Sequence, residues 1–226
     1  MPEIQAVMFD FDHTLGIDNK LEEVVLRELA ASYCSTQPDD DAVRHVLVRF
    51  RSGSAPVDEA VADGLNAWGC RERNLSHAVK AFRARSLALA PERVRPMPGA
   101  RETLRDLAAR RVPLGMLSNG WTQLQHLKAW LINFPGPVLA SEEIGAWKPD
   151  ARAFEIALSR FSMQARTTVY VGDEPRVDIA GAQAAGMIAA WADLEGKVYP
   201  ADVPPPDFTI TALPKIVALI DQGPPG

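Results

Sequence analysis

Cysteine is scarce in this chain, which has only two among 226 residues. Cys34 and Cys70 lie far apart in the sequence and form no CxxC pair. A zinc site is usually marked by paired, closely spaced ligands, and a disulfide framework by more cysteines. We therefore expect two thiols here, with neither a disulfide nor a paired metal site.

Long apolar runs and blocks of one charge are also missing. No stretch has the length of a transmembrane span, and no basic segment leads into an apolar one as in a signal peptide. The 24 basic and 29 acidic residues are interspersed and leave a net charge of −5. Because nucleic-acid binding needs a concentrated basic face, we expect no nucleic-acid partner. The missing span and signal peptide lead us to expect no membrane partner and a cytoplasmic location.

The second half of the chain alternates between helical and strand patterns. Val7, Met8 and Phe9 predict a first buried strand, and later apolar runs predict further strands at 112–117, 138–140, 167–171, 187–191 and 208–210. Helical spacing separates these runs. Strand–helix alternation predicts an α/β fold, a Rossmann-like parallel sheet with helices on both faces.

Between the first two strand patterns the chain shows helical spacing only. Turn signals at Gln37–Pro38, Ser52–Gly53 and Trp68–Gly69 divide this block into about four helices. We predict a helical domain at 17–93, inserted after the first strand into a core formed by 1–16 and 94–226. The terminal GPPG is expected to be frayed.

Polar clusters follow three of the predicted strands. They are Asp10 with Asp12, Ser118 with Asn119, and Asp173 with Glu174. In an open parallel sheet, ligands bind outside the carboxyl ends of the strands. We therefore expect these clusters to meet in one crevice.

Several carboxylates in one crevice would repel each other unless a cation lies among them. Carboxylate oxygens suit Mg²⁺ better than zinc. Lys148 would add a fixed positive charge and Ser118 a hydroxyl. A cation, an ammonium and several hydrogen-bond donors together suit an anion with several oxygens, of which phosphate is the obvious candidate.

The spacing of Asp10 and Asp12 allows them two different roles. If the backbone turns after Asp10, the two carboxylates need not lie side by side. An ionised Asp10 could then attack phosphorus, while Asp12 donates a proton to the leaving oxygen and later accepts one from water. Thr14 could hold the loop through a bond between its hydroxyl and the backbone.

Four segments resemble, in order and spacing, the motifs of the haloacid dehalogenase-like (HAD) hydrolases. They are DFDHT (10–14), LSN (117–119), WKPD (147–150) and VGDEPRVD (171–178). The resemblance extends over the whole chain, including a helical cap inserted after the first motif. His13 stands where the family most often has glycine.

The resemblance implies a role for each matching residue. Asp10 would be the nucleophile and Asp12 the general acid/base, and the backbone carbonyl of Asp12 would ligate Mg²⁺ together with Asp10 and Asp173. The phosphate-binding set would be Thr14, Ser118, Asn119 and Lys148. Asp178 would support the metal site from nearby.

The resemblance favours a Mg²⁺-dependent phosphatase acting on a small phosphorylated metabolite, as a monomer or homodimer. The dehalogenase branch of the family typically lacks an aspartate at the position of Asp12 and needs no Mg²⁺. A 2-haloacid dehalogenase and a catalytically idle binding protein on the same scaffold are the alternatives. Four basic residues of the helical block are expected to face solvent: His45, Arg49, Arg51 and His77.

Overall fold

A computed structural model describes residues 4–221, so the GPPG segment lies outside the described residues. Within that range the chain has eight strands and ten α-helices. The strands are β1 (Ala6–Phe9), β2 (Gly16–Ile17), β3 (Arg95–Pro96), β4 (Leu114–Ser118), β5 (Val138–Ala140), β6 (Thr168–Gly172), β7 (Ile188–Ala192) and β8 (Phe208–Ile210). The helices are α1 (Leu21–Tyr33), α2 (Asp40–Arg51), α3 (Val57–Ala67), α4 (Glu72–Arg93), α5 (Ala100–Ala109), α6 (Thr122–Leu131), α7 (Ser141–Ile144), α8 (Ala151–Arg160), α9 (Ala180–Ala184) and α10 (Lys215–Asp221).

Six strands form one sheet in the order β5-β4-β1-β6-β7-β8, and every neighbouring pair is parallel. Val7, Met8 and Phe9 are fully buried because both faces of the sheet are covered. Val7 and Phe9 pack into the larger core, and Met8 packs with Phe154 and Tyr170 on the opposite face. The predicted α/β fold with a parallel sheet is confirmed.

Strand β2 precedes the helical block and β3 follows it, and the two pair as an antiparallel ribbon. Helices α1 to α4 lie between its strands, and the three predicted turn signals all fall between these helices. Helix α1 packs on α4, α2 on α3, and α4 reaches across to α6 of the core. The division into domains at 17–93 stays a prediction.

Local signals set several helix ends. The Asp150 carboxylate accepts from the amide of Arg152 and begins α8, as an N-cap does. Gly186 follows α9 with φ +73°, a conformation in which glycine carries no side-chain strain. A π-helical turn (Pro175–Ile179) precedes α9, which therefore begins at Ala180.

Both cysteines are free thiols; Cys70 is buried and Cys34 is half-buried. None of the helices described between residues 4 and 221 is long and apolar enough to cross a bilayer.

Candidate active site

The structure brings the motif residues together at the carboxyl edge of the sheet. Strands β4, β1 and β6 are neighbours in the sheet order. Ser118 is the last residue of β4, Asp10 follows β1, and Asp173 follows β6. Parallel neighbours end on the same side, so residues that are far apart in the sequence share one crevice.

Lys148 lies at the centre of this crevice and its side chain is buried. Its Nζ donates to Oδ1 of Asp10 at 2.6 Å, to Oδ1 of Asp178 at 2.7 Å and to the hydroxyl of Tyr170 at 2.8 Å. Burial alone would lower the pKa of Lys148, but Asp10 and Asp178 outweigh burial and raise that pKa well above its ordinary value. Lys148 is therefore a fixed ammonium.

Neighbouring polar groups hold the segment that carries Lys148. The Asn119 side chain donates to the carbonyl of Lys148 and accepts from its amide, both at 2.9 Å. The hydroxyl of Tyr170 donates to the carbonyl of Leu117 at 2.9 Å. The Ser118 hydroxyl donates to Oε1 of Gln125 at 3.2 Å. The two Asn119 bonds hold the backbone of Lys148, and the anchored Tyr170 hydroxyl contacts its ammonium.

Asp10, Asp173 and Asp178 form an acidic cluster in which one oxygen of each lies within 4.8 Å of the others. Burial raises the pKa of each of these carboxyl groups. Lys148 opposes this rise at Asp10 and Asp178, and Lys197, 2.8 Å from Asp173, opposes it there. Hard oxygen donors gathered with too little positive charge fit a divalent cation such as Mg²⁺.

The Asp12 carboxylate lies outside this cluster. Its two oxygens accept from Nζ of Lys128 at 3.0 and 3.2 Å. Desolvation raises the pKa of Asp12, and the Lys128 ammonium offsets this only in part. A raised pKa favours a carboxyl group that can donate a proton.

Thr14 and His13 complete the loop after β1. Thr14 is fully buried, and its hydroxyl has no hydrogen-bond partner among the described residues. The predicted bond from this hydroxyl to the backbone is therefore wrong. His13 has φ +56°, where glycine would be unstrained, and its Nδ1 lies 2.9 Å from Oε1 of Glu195.

A cavity of about 560 Å³ opens above these residues. The core side includes Asp10, Asp12, Ser118, Asn119, Lys148, Asp173 and Asp178. One face of α2 closes the cavity from above through Arg44, Leu47, Val48 and Arg51, at spacings of three and four residues. Arg51 was expected to face solvent; its side chain is 40% exposed but also lines the cavity, because Glu22 and Asp18 attract its guanidinium inward.

The sequence patterns did not identify Lys128, Tyr170 or Glu22 as residues of the site. Lys128 has no exposed side-chain surface, although a lysine on an amphipathic helix normally lies on the solvent-exposed face. The available signal was weak: Lys128 falls four residues after Leu124, on the apolar stripe of α6. Glu22 is likewise buried on α1.

Two characterised relatives match most of the chain. A phosphoserine phosphatase from Thermus thermophilus is 33% identical over 210 residues, covering 85% of this chain and 83% of its own. A glyceraldehyde 3-phosphate phosphatase from Methanocaldococcus jannaschii is 27% identical over 96% of this chain and 97% of its own.

A solved structure has the same overall fold. The 2-haloacid dehalogenase from Pseudomonas syringae pv. Tomato DC3000 superimposes with a TM-score of 0.76 at 27% identity, over 97% of this chain and 99% of that one. The family model described as haloacid dehalogenase-like hydrolase matches residues 4–186. The chain is an enzyme of the haloacid dehalogenase-like hydrolase family.

Proposed function

We propose that this hydrolase is a Mg²⁺-dependent phosphatase that cleaves the phosphomonoester of a small metabolite. The observation that carries the proposal is the pairing of a buried ammonium, Lys148, with the acidic cluster of Asp10, Asp173 and Asp178 at the floor of one cavity. The names of the two phosphatase relatives support the same reaction class.

Asp10 is the proposed nucleophile. Its carboxylate oxygen attacks phosphorus, the bond from phosphorus to the leaving oxygen breaks, and Asp12 gives its proton to that oxygen. Water then attacks the aspartyl-phosphate and passes a proton to Asp12, so that inorganic phosphate and the Asp10 carboxylate are released. Lys148, which contacts Asp10 at 2.6 Å, opposes the rise that burial causes in the pKa of Asp10 and orients its carboxylate.

Thr14, Ser118, Asn119 and Lys148 are the proposed phosphate-binding residues. Lys148 and Asn119 are fixed to each other through the backbone, so the ammonium is already placed beside Asp10 when negative charge develops on the phosphoryl oxygens. Thr14 is the weakest member of the set, because its hydroxyl is buried beside the loop and not on the cavity wall.

Asp10 and Asp173 would hold Mg²⁺ with the backbone carbonyl of Asp12, and Asp178 would support them. Bound there, the ion would neutralise charge on the phosphoryl group and on the clustered carboxylates. The acidic cluster supports this assignment, since its carboxyl groups have raised pKa values when only lysines balance them.

Residues 17–93 are the proposed cap, and its α2 face bounds the space available to the substrate. A cavity of about 560 Å³ suits a small metabolite. We propose a monomeric or homodimeric enzyme with no nucleic-acid partner.

The test compares Asp10→Asn with a matched control, Asp106→Asn, whose side chain on α5 is 39% exposed and lies outside the cavity. We expect Asp10→Asn to abolish hydrolysis of p-nitrophenyl phosphate with the fold intact by circular dichroism, and Asp106→Asn to retain full activity. EDTA should remove the activity and Mg²⁺ restore it.

Three results would contradict the proposal. Full activity of Asp10→Asn would refute the assignment of Asp10 as the nucleophile. Metal-independent halide release from 2-haloacids, without phosphatase activity, would indicate a dehalogenase like the structural neighbour. No turnover of any phosphorylated metabolite in a broad panel would favour a binding protein.

A further inference from the structure

Lys128 is a buried lysine that the proposed mechanism does not use. It lies on α6, its side chain has no exposed surface, and it contacts none of the three acidic cluster residues through any described bond. Its Nζ donates to Oδ1 and Oδ2 of Asp12 at 3.0 and 3.2 Å and to Oδ2 of Asp18 at 2.7 Å. A buried ammonium is costly unless carboxylates pair with it, so these bonds are what hold Lys128 in place.

The loop after β1 wraps around this ammonium. Asp12 lies near the start of that loop and Asp18 between β2 and α1, so Lys128 holds both ends of the segment that follows the nucleophile. The Asp12 side chain is about one-third exposed and lines the cavity, whereas Lys128 is wholly enclosed. Asp12 therefore faces the cavity on one side and contacts the enclosed Lys128 on the other.

Lys128 is not itself a proton donor to the substrate. Burial alone would lower its pKa, but Asp12 and Asp18 outweigh burial and raise it far above neutral, so the amine stays protonated. Lys128 also has no place among the residues that line the cavity. It can act on the reaction only through Asp12.

We propose that Lys128 is a positioning residue that orients the Asp12 carboxyl group toward the leaving oxygen of the substrate; this rests on the proposed phosphatase function. The two bonds from one Nζ to both oxygens of Asp12 restrict rotation of the carboxyl group. Both oxygens accept from the ammonium, and the exposed third of the Asp12 side chain lies at the cavity. Asp18 takes the remaining side of the ammonium and keeps it directed at Asp12.

If Lys128 has this role, the effect of removing it on the rate depends on the leaving group. An alkoxide needs a proton as it departs, whereas p-nitrophenolate leaves readily without one. Loss of orientation at Asp12 should therefore slow the cleavage of an alkyl phosphate much more than that of an aryl phosphate. A purely structural role for Lys128 would slow both reactions equally.

The experiment measures kcat/KM for benzyl phosphate and p-nitrophenyl phosphate, two esters of similar size. This ratio reports the attack on phosphorus and is not affected by later hydrolysis of the aspartyl-phosphate. For Lys128→Met we expect a fall of about 100-fold or more with benzyl phosphate and less than tenfold with p-nitrophenyl phosphate. Lys128→Arg should recover part of the loss, and Lys215→Met, an exposed lysine on α10, should match the wild type.

Lys128→Gln serves in place of the methionine variant if that variant does not fold, because an amide can still donate to Asp12 without the charge. A smaller but still selective loss on benzyl phosphate is expected for it, because a shorter, uncharged amide does not replace both bonds to Asp12. Equal losses on both esters, or no loss on either, would overturn the role of Lys128 and leave the phosphatase proposal standing. A wild-type enzyme that cleaves neither ester would overturn both.

Discussion

Glu22 provides a direct test of how the helical block is held against the core. It lies on α1 with a side chain that is 2% exposed. Its Oε1 accepts from Nε1 of Trp121 at 2.8 Å, and its Oε2 accepts from Nε and Nη2 of Arg51. One buried carboxylate therefore joins α1, α2 and the residue that precedes α6 of the core.

The cost of removing this carboxylate can be worked out from its partners. Glu22→Leu leaves the buried N–H of Trp121 without an acceptor, which costs about 1–3 kcal/mol. The ion pair adds about 1 kcal/mol, because the Arg51 side chain is 40% exposed and water screens part of its charge. We expect Glu22→Leu to lower the free energy of unfolding by about 3 kcal/mol. Glu22→Gln keeps a carbonyl oxygen for Trp121 and should lose roughly half as much.

Urea denaturation followed by fluorescence measures these differences by linear extrapolation. The matched control is Glu155→Leu on the exposed face of α8, expected to change stability by less than about 0.5 kcal/mol. Arg51→Met combined with Glu22→Leu should cost less than the sum of the two single changes, because each change removes the other's partner. A loss under about 1 kcal/mol for Glu22→Leu would refute the reasoning.

Two further predictions concern charge and orientation around the site. Lys128 and Arg51 outweigh burial at Asp18 and lower its pKa from 3.8 to about 2. The ionised Asp18 therefore stabilises the fold fully above pH 3.8, and this stabilisation is lost as the pH falls toward 2. Asp18→Asn should therefore cost about 2 kcal/mol in urea titrations at pH 7 and roughly half of that at pH 3, whereas a constant cost would contradict the assignment. Asn119→Ala removes both bonds that fix the Lys148 backbone and should lower kcat by about 10- to 100-fold, as steady-state kinetics with p-nitrophenyl phosphate would measure. Wild-type kcat in that variant would show that Lys148 is held by other contacts.

Much of the fold follows from local patterns that short segments carry by themselves. The segments 138–140 and 208–210 were predicted to the residue as β5 and β8, because short stretches of apolar and β-branched residues bounded by turns favour strands. The ribbon of β2 and β3 was not predicted, because strands of two residues show no periodicity in the sequence. The run at 112–117 forms a strand only from Leu114, after Pro113, which has no N–H for the sheet.

The candidate site was predictable where topology alone brings residues together. Asp10 and Asp173 were expected to be neighbours because each follows a strand of a parallel sheet, and their strands are adjacent. The pairing of Lys128 with Asp12 was not predictable, since 116 residues separate them and no local pattern links them. A charged residue on a helix is usually solvated, so only the three-dimensional structure reveals that this one is enclosed.

The separation of Asp10 from Asp12 is what gives the two carboxylates different chemistry. The chain turns directly after β1, where the carbonyl of Phe11 accepts from the amides of Leu15 and Gly16 at 2.9 Å. Asp10 therefore bonds to Lys148 and Asp12 to Lys128, although only one residue lies between them. Had the strand continued, both side chains would share one face and one ammonium, and each carboxylate would oppose ionisation of the other. The turn gives each aspartate its own ammonium, so that the two carboxyl groups can take separate roles in the proposed reaction.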